Sequence, residues 1–110
     1  MNKTWGDFNN IWVIDYEFNG SDRGNNQNPI CYAGKNLITN EIVTHWIDGT
    51  ETSSLYSTDD DTLIVAFFSS AEMGCHIPLD FKIPLYIFDL YTEFRNLTNG
   101  LKLGVKDDLI

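Results

Sequence analysis

One run of this chain shows no alternation of apolar and polar residues, and it restricts the fold more than any other feature. Residues 63–68 read Leu-Ile-Val-Ala-Phe-Phe. A strand with one face in water alternates apolar and polar side chains, whereas an unbroken apolar run is typical of a strand covered on both faces. Such strands are common in the parallel sheets of α/β domains. The run therefore predicts an α/β fold in which this strand lies inside the sheet.

Shorter patterns predict the remaining elements. The other strands are predicted over residues 11–18, 29–37, 42–47 and 85–88, where apolar and β-branched residues lie between turn-forming segments. A Gly- and Asn-rich loop is expected at 19–28, and a polar connection at 48–62. The second and third strands are separated only by a tight turn, so they are expected to pair as a hairpin.

Two helices are predicted after the apolar strand. Residues 69–72 (SSAE) indicate a helix N-cap with an acid in the first turn, and the helix is predicted over about 70–77. Residues 90–97 have helical spacing, with Leu90, Phe94 and Leu97 on one side. Three antiparallel strands followed by a strand–helix–strand crossover resemble the opening of the ribonuclease H-like fold. In that fold the first and fourth strands lie parallel and adjacent. We therefore expect a truncated α/β domain of this kind over residues 1–110, with a mixed sheet.

Composition and charge restrict the class of partner. The chain has 110 residues, of which 43% are hydrophobic, and its net charge is −9. The basic residues are scattered rather than clustered, which disfavours tight unaided binding to a nucleic acid. Acidity of this degree fits metal binding, a basic protein partner or simple solubility. No apolar run is long enough for a membrane span and the first residues do not resemble a secretory signal, so a cytoplasmic location is expected.

The cysteines and histidines indicate packing rather than chemistry. Cys31 and Cys75 are far apart in sequence and each has apolar neighbours, so two free thiols are expected, with a disulfide as the alternative. His45 and His76 have no zinc-ligand spacing to the cysteines and are interpreted as packing residues. His76 follows Glu72 by four residues, so a general base displaced from its usual position is the other interpretation for it.

Two carboxylates stand at the end of the first predicted strand. In residues 11–18 (IWVIDYEF), Asp15 and Glu17 are two apart, so their side chains point to the same face of a strand. Two like charges so placed repel each other unless a cation lies between them, and hard divalent ions such as Mg²⁺ prefer oxygen ligands. By itself the pattern fits a strand whose last residues run out of the core into a polar loop. A metal site is the other interpretation, and the rest of the chain bears on the choice.

Three segments, taken in order, resemble a known family. They are residues 13–18 (VIDYEF), 69–75 (SSAEMGC) and 88–97 (FDLYTEFRNL). The family is that of the DnaQ-like, or DEDD, 3′–5′ exonucleases, and the chain looks most like the exonuclease segment of phage-type family A DNA polymerases. The resemblance spans about residues 11–100. It implies hydrolysis of phosphodiester bonds at the 3′ end of a nucleic acid, with Mg²⁺ or Mn²⁺ as cofactor.

The resemblance also implies a role for individual residues. Asp15 matches the aspartate that bridges two metal ions, and Glu17 matches the glutamate that ligates one of them and orients the attacking water. Glu72 takes about the place of the acid in the family's second motif. Asp89 matches a carboxylate after the next strand, with a metal-binding or a local structural role. Arg95 is a candidate for phosphate contact, and a solvated helix cation is the alternative.

The third motif of the family has no counterpart here. It supplies a general-base His or Tyr and a last metal-binding Asp, whereas Asp107 and Asp108 follow Asp89 by only 18 and 19 residues, with no His or Tyr near them. Loss of a general base costs a factor of about 10² to 10⁴ in rate. The chain therefore looks like the first half of an exonuclease domain.

Two functions remain open at this point. One is a minimal or split exonuclease completed by a partner chain or by a second copy. The other is an inactive exonuclease-like module, a phage or mobile-element product, that binds a protein with a basic surface and inhibits a nucleic-acid enzyme. A shortened fold would expose apolar sheet surface, so a homodimer is expected for either function.

Overall fold

A computed structural model describes residues 3–20 and 27–98, and the structural statements below concern those residues. The predicted loop at 19–28 lies partly outside this part of the chain, and Asp107 and Asp108 lie wholly outside it. The strands are β1 (Asn10–Asn19), β2 (Asn28–Asn36), β3 (Ile42–Trp46), β4 (Thr62–Ala66) and β5 (Ile87–Asp89). The helices are α1 (Ser69–Leu79) and α2 (Leu90–Thr98), and a short 3-10 helix, Trp5–Asp7, precedes β1.

The five strands form one mixed sheet in the order β3-β2-β1-β4-β5. The β1–β2 and β2–β3 pairs are antiparallel, whereas β1–β4 and β4–β5 are parallel. The predicted hairpin and the predicted parallel contact between the first and fourth strands are thus confirmed. The α/β class is confirmed with them, and the strand order is compatible with a ribonuclease H-like arrangement.

The apolar run lies in the interior of the sheet, as predicted, but the strand it forms is shorter. Every residue of β4 is buried. The strand ends at Ala66, and Phe67 and Phe68 leave the sheet. Phe68 has a φ of 62°, in the left-handed region, and 41% of it is exposed. The chain thus turns sharply at Phe68, and a long apolar run does not by itself show where that turn falls.

The sheet carries a core cluster on each face. The larger cluster joins the even-numbered residues of β1 to β2, β4 and α1, and includes Trp12, Ile14, Tyr16, Tyr32, Tyr56, Ile64, Cys75 and Phe81. The smaller cluster, on the other face, contains Phe8, Ile11, Leu63 and Val65. Both cysteines are free thiols, which confirms that prediction, and Cys75 is fully buried.

The start of α1 differs from the prediction. Its N-cap residue is Phe68, which has no side chain able to accept a hydrogen bond, and not a serine. The carboxylate of Asp89 accepts hydrogen bonds from the backbone N–H groups of Phe68 and Ser69 instead (2.9 and 3.1 Å). The helix also continues past its predicted end at residue 77 to Leu79, and Pro78 lies inside its last turn. The cap is therefore supplied across the sheet, by the residue that ends β5.

Helix α2 forms where it was predicted, but none of its residues is fully buried. Leu90 and Leu97 are both exposed. Within the described ranges, no helix is long and apolar enough to cross a membrane.

Candidate functional site

A groove opens where β1 extends beyond β4. The β4 ladder pairs with β1 only from Asn10 to Val13, so the later part of β1 has no strand neighbour on that side. The groove has a volume of about 690 Å³. Its walls are the end of β1, the turn after β4 and the first turn of α1, with the lining residues Asp15, Tyr16, Glu17, Phe18, Phe67, Phe68, Ala71 and Glu72. The carboxyl end of parallel strands is where open α/β sheets usually bind their ligands.

Asp15 and Glu17 stand side by side at this groove. Both are exposed, whereas Ile14 and Tyr16 between and beside them are buried on the opposite face. The alternation places the two carboxylates on the same face of β1, as the sequence predicted. Asp15 lies opposite Ala33 of β2, so no side-chain cation faces it directly across the ladder.

Glu72 reaches the groove from the first turn of α1. It is only 4% exposed, and its Oε2 accepts a hydrogen bond of 2.9 Å from the backbone N–H of Tyr16. Tyr16 lies beyond the end of the β4 ladder, so Glu72 takes the place of a strand partner. Burial and, after it, the charge of Asp15 raise the pKa of Glu72 to about 8, and the hydrogen bond from Tyr16 only partly opposes them. Glu72 is thus largely protonated at neutral pH, and a cation in the groove would favour its ionised form.

The structure therefore brings together three of the residues selected from the sequence. Their oxygens are the ligand type that Mg²⁺ and Mn²⁺ prefer, so the chemistry of the donor set fits such an ion. Among the described residues, however, only His45, Asp48 and Glu51 have three ligand atoms all within 4.8 Å of one another. The three groove carboxylates line the same groove, but their oxygens are not all within 4.8 Å of one another.

Asp89 does not line the groove. Its carboxylate accepts hydrogen bonds from the N–H groups of Phe68, Ser69 and Tyr91 and from the hydroxyl of Ser69, at 2.9 to 3.1 Å. Partial burial would raise the pKa of Asp89, but these hydrogen bonds outweigh it and hold the pKa below its usual range. The geometry is that of a capping residue, the local structural role that the resemblance left open, and its role as a metal ligand stays a prediction.

Arg95 and His76 also lie away from the groove lining. Arg95 is exposed on α2, and its contact with phosphate stays a prediction. His76 is fully buried, and burial lowers its pKa. Its Nδ1 is 2.9 Å from the carbonyl oxygen of Lys82, which can only accept, so Nδ1 carries the proton. His76 thus packs in the core as interpreted from the sequence, although its burial is complete.

A buried chain of hydrogen bonds supports the floor of the groove, and sequence reasoning missed it. Since Nδ1 of His76 is protonated, its Nε2 accepts, and the hydroxyl of Tyr56 donates to it at 2.5 Å. The hydroxyl of Tyr56 then accepts from that of Tyr16, at 2.6 Å. Tyr56 is the one aromatic residue in the predicted connection 48–62. A single aromatic side chain in a polar segment could have indicated a residue anchored in the core. These hydrogen bonds fix the position of Tyr16, whose backbone N–H donates to Glu72.

A second cluster of polar side chains was also missed. His45, Asp48 and Glu51 lie at the end of β3 and in the turn that follows it. His45 was interpreted as a packing residue, and its ring does lie 5.5 Å from that of Tyr32. The regular spacing of a histidine and two acids was the available signal. This cluster lies outside the groove.

Comparison with protein-family models, with curated proteins and with solved structures finds no match to this chain. Its function is therefore inferred from its own residues, and above all from the groove.

Proposed function

We propose that this chain is a DnaQ-like exonuclease module that hydrolyses phosphodiester bonds at the 3′ end of a nucleic acid in the presence of Mg²⁺ or Mn²⁺. One observation carries the proposal: Glu72, which is far from Asp15 and Glu17 in sequence, lines the same groove as they do at the carboxyl end of β1. Like charges collected in this way are costly unless a cation or a proton offsets them.

The topology supports the same proposal. A sheet ordered β3-β2-β1-β4-β5, with β1 and β4 parallel, is compatible with a truncated ribonuclease H-like fold. Helix α1 follows β4 directly, so its first turn returns to the end of β1. An acid in that turn is thereby placed beside the acids that end β1. The proposed activity is that of a cytoplasmic, polymerase-associated nucleic-acid enzyme of phage type.

Different residues of the groove would bind the metal ion, orient a ligand and shield the substrate. Asp15 and Glu17 are exposed and would hold the divalent ion from the open side of the groove, while Glu72 would hold it from below. A bound ion of this kind activates water and stabilises negative charge on the phosphate oxygens. The hydrogen bond from Tyr16 orients Glu72 toward the groove. Phe67 and Phe68 form an apolar wall that would exclude water from one side of the substrate.

An inactive module is the second candidate, and a specific observation favours it. Among the described residues, the only Tyr or His that lines the groove is Tyr16, whose hydroxyl is hydrogen-bonded to that of Tyr56 in the core. Within the described part of the chain, the groove thus has no side chain placed to act as a general base of the family type. A module of this kind, from a phage or mobile element, would use its acidic surface and net charge of −9 to bind and inhibit a basic nucleic-acid enzyme.

Degradation of 5′-labelled single-stranded DNA with Mg²⁺ or Mn²⁺ tests the first candidate. The wild-type chain is expected to produce a ladder from the 3′ end. Asp15→Ala/Glu17→Ala should reduce the rate by more than about 100-fold, because even residues that only support a metal ligand cost about 10- to 100-fold. RNA of the same sequence would show which nucleic acid is preferred.

A matched control is the double variant Glu41→Ala/Asp60→Ala, which removes the same charge from exposed positions outside the groove. It should retain full activity. If the wild-type chain cleaves no faster than Asp15→Ala/Glu17→Ala, the enzyme proposal is wrong and the binding module takes its place. Equal loss in both double variants would show that net charge, and not the groove, matters.

A further inference from the structure

Three metal-ligating side chains meet at the end of β3, in a place that the proposed function does not use. His45 lies in β3, and Asp48 and Glu51 lie in the turn that follows. One ligand atom from each lies within 4.8 Å of the other two. The closest pair is Nε2 of His45 and Oε2 of Glu51, at 2.6 Å.

Glu51 is oriented by the backbone of its own turn. Its side chain is only 5% exposed. Oε2 accepts a hydrogen bond from the N–H of Asp48 (2.9 Å), and Oε1 accepts one from the N–H of Gly49 (3.0 Å). These two hydrogen bonds and the contact with His45 fix the direction of the carboxylate, as a metal ligand requires.

The two carboxylate oxygens of Asp48 differ in their hydrogen bonds. Oδ1 accepts hydrogen bonds from the N–H and the hydroxyl of Thr50, at 3.0 and 2.6 Å. Oδ2 accepts no hydrogen bond from any described residue, and Asp48 is exposed. The cluster is thus open to water on the side of Asp48, where an ion could enter.

We propose that His45, Asp48 and Glu51 form a binding site for a transition-metal ion of the Zn²⁺ class, with water as a further ligand. One imidazole nitrogen and two carboxylate oxygens suit Zn²⁺, which takes both ligand types in four-coordinate sites. Mg²⁺ prefers oxygen ligands alone, so the site differs in chemistry from the groove. On binding, the proton that Nε2 of His45 shares with Glu51 moves to Nδ1 or is released to water, so that Nε2 supplies a lone pair and both residues bond to the ion.

The position of the site gives it a structural role. All three ligands lie within residues 45–51, at the start of the long connection between β3 and β4. The same connection is fixed to the sheet further on by the hydrogen bond from the N–H of Leu55 to the hydroxyl of Tyr32, at 3.1 Å. A bound ion would tie the beginning of the connection to β3 and raise the stability of the folded chain by mass action.

Isothermal titration calorimetry with Zn²⁺ on the tag-free, full-length chain tests this site. We expect one ion to bind at this site with a Kd of about 1–10 μM, and a Kd of 1 μM corresponds to about 8 kcal/mol of binding free energy. His45→Ala and Asp48→Asn should each weaken binding by at least about 10-fold, which is about 1.4 kcal/mol. The melting temperature should rise with Zn²⁺ in the wild type and not in either variant.

Two control variants separate this site from its competitors. Asp15→Ala/Glu17→Ala removes the groove acids and so excludes Zn²⁺ binding there, and Cys31→Ser removes the partly exposed thiol. The cluster should bind Zn²⁺ with the same Kd in both. Asp48→Asn changes an exposed side chain, so it tests the site even where His45→Ala disturbs folding. Absence of Zn²⁺ binding in Asp15→Ala/Glu17→Ala, or binding that survives when His45→Ala or Asp48→Asn is added to that variant, would overturn the proposal and leave the cluster as a hydrogen-bonded turn.

Discussion

At the scale of single residues, Glu72 is the side chain most altered by its surroundings. It is buried beside Asp15, and its pKa of about 8 is well above the 4.5 of an ordinary glutamate. The folded chain therefore holds a proton on Glu72 at pH values where the unfolded chain does not. Folding takes up a proton between about pH 4.5 and pH 8, so the contribution of Glu72 to stability falls as the pH rises through that range.

Glu72→Gln should remove this pH dependence. An amide oxygen can still accept the hydrogen bond from Tyr16, but it cannot ionise. At pH 4 the variant and the wild type should unfold at nearly the same denaturant concentration. At pH 8.5 the variant should be more stable by on the order of 2 kcal/mol, since one pKa unit corresponds to about 1.4 kcal/mol and the open groove screens part of the shift.

Urea unfolding at the two pH values, with the exposed Glu41→Gln as control, measures this effect. The control should show no gain at either pH. A variant no more stable than the wild type at pH 8.5 would mean that Glu72 is ionised in the folded chain without cost.

Tyr56→Phe tests the buried chain of hydrogen bonds below the groove. Loss of one hydroxyl leaves the Tyr16 hydroxyl and Nε2 of His76 without their partner. Buried polar groups left in this way cost about 1–3 kcal/mol each, so the variant should lower the free energy of unfolding by at least about 2 kcal/mol.

Tyr86→Phe is the matched control, because the hydroxyl of Tyr86 makes no hydrogen bond with the residues that the structure describes. It should change stability by less than about 0.5 kcal/mol, as surface substitutions usually do. Equal small effects in both variants would show that water replaces the Tyr56 hydroxyl.

At the scale of elements, the junction of β4, α1 and β5 depends on one carboxylate. Asp89 ends β5 and caps the first turn of α1 across the sheet. It also accepts a hydrogen bond from the N–H of Tyr91 at the start of α2. A single side chain thus fixes how two helices leave the carboxyl end of the sheet, and through α1 it fixes the position of Glu72.

Asp89→Ala should lower the free energy of unfolding by about 2 kcal/mol, the upper end of the range for loss of a helix cap. The lowered pKa of Asp89 adds a pH dependence with a known sign. The stabilisation is fully present above about pH 4 and is lost as the pH falls through the folded pKa. Thermal unfolding at pH 7 and pH 2.5 measures both effects, and the difference between the wild type and the variant should be smaller at the lower pH.

Asp60→Ala is the control for this substitution, because Asp60 is exposed and its side chain makes no hydrogen bond in the described ranges. It should leave stability nearly unchanged. If Asp89→Ala is as stable as this control at pH 7, the hydrogen bonds to Asp89 do not stabilise the junction, and a ligand role for Asp89 gains support.

At the scale of the whole molecule, the described residues cover only half of one face of the sheet. The smaller core cluster covers β1 and β4 on this face, but β2 and β3 remain open beside it. Ile42 and Trp46 of β3 are 67% and 74% exposed there. Across the sheet, Ile42 is in register with Val13 and Trp46 with Glu17, each through one residue of β2. The exposed apolar surface therefore lies beside the groove acids.

We predict that this surface joins two copies of the chain. A contiguous exposed apolar surface is a common mark of a protein interface, and a second copy so placed could supply groups to the groove. Sedimentation velocity should show a dimer. Trp46→Lys should weaken it by at least about 10-fold, because central aromatic residues carry much of the energy of an interface.

Leu97→Lys serves as the comparison, since Leu97 is 77% exposed on α2, far along the chain from β3. It should leave the dimer intact. A single monomeric boundary for the wild-type chain at all concentrations would remove the homodimer.

Much of the fold could be predicted from the sequence because its signals are local. The apolar run identified β4 as a buried strand, and the two-residue spacing of Asp15 and Glu17 placed both carboxylates on one face of β1. The order of strands and helices then restricted the topology, because a strand–helix–strand crossover joins parallel strands. Each of these inferences depends on neighbouring residues only.

Tertiary structure alone decided the rest. The bond from Tyr16 to Glu72 joins residues 56 apart, and the cap from Asp89 to Phe68 joins residues 21 apart. The local sequence around an acid in a first helical turn, such as Glu72, is the same whether the acid is solvated or buried. The local sequence around an acid after a strand, such as Asp89, is the same whether it caps a helix or binds an ion. The sequence by itself determined the elements and the face that each side chain takes. Only the packing of distant segments decided which carboxylates are desolvated, because desolvation depends on everything that surrounds a charge.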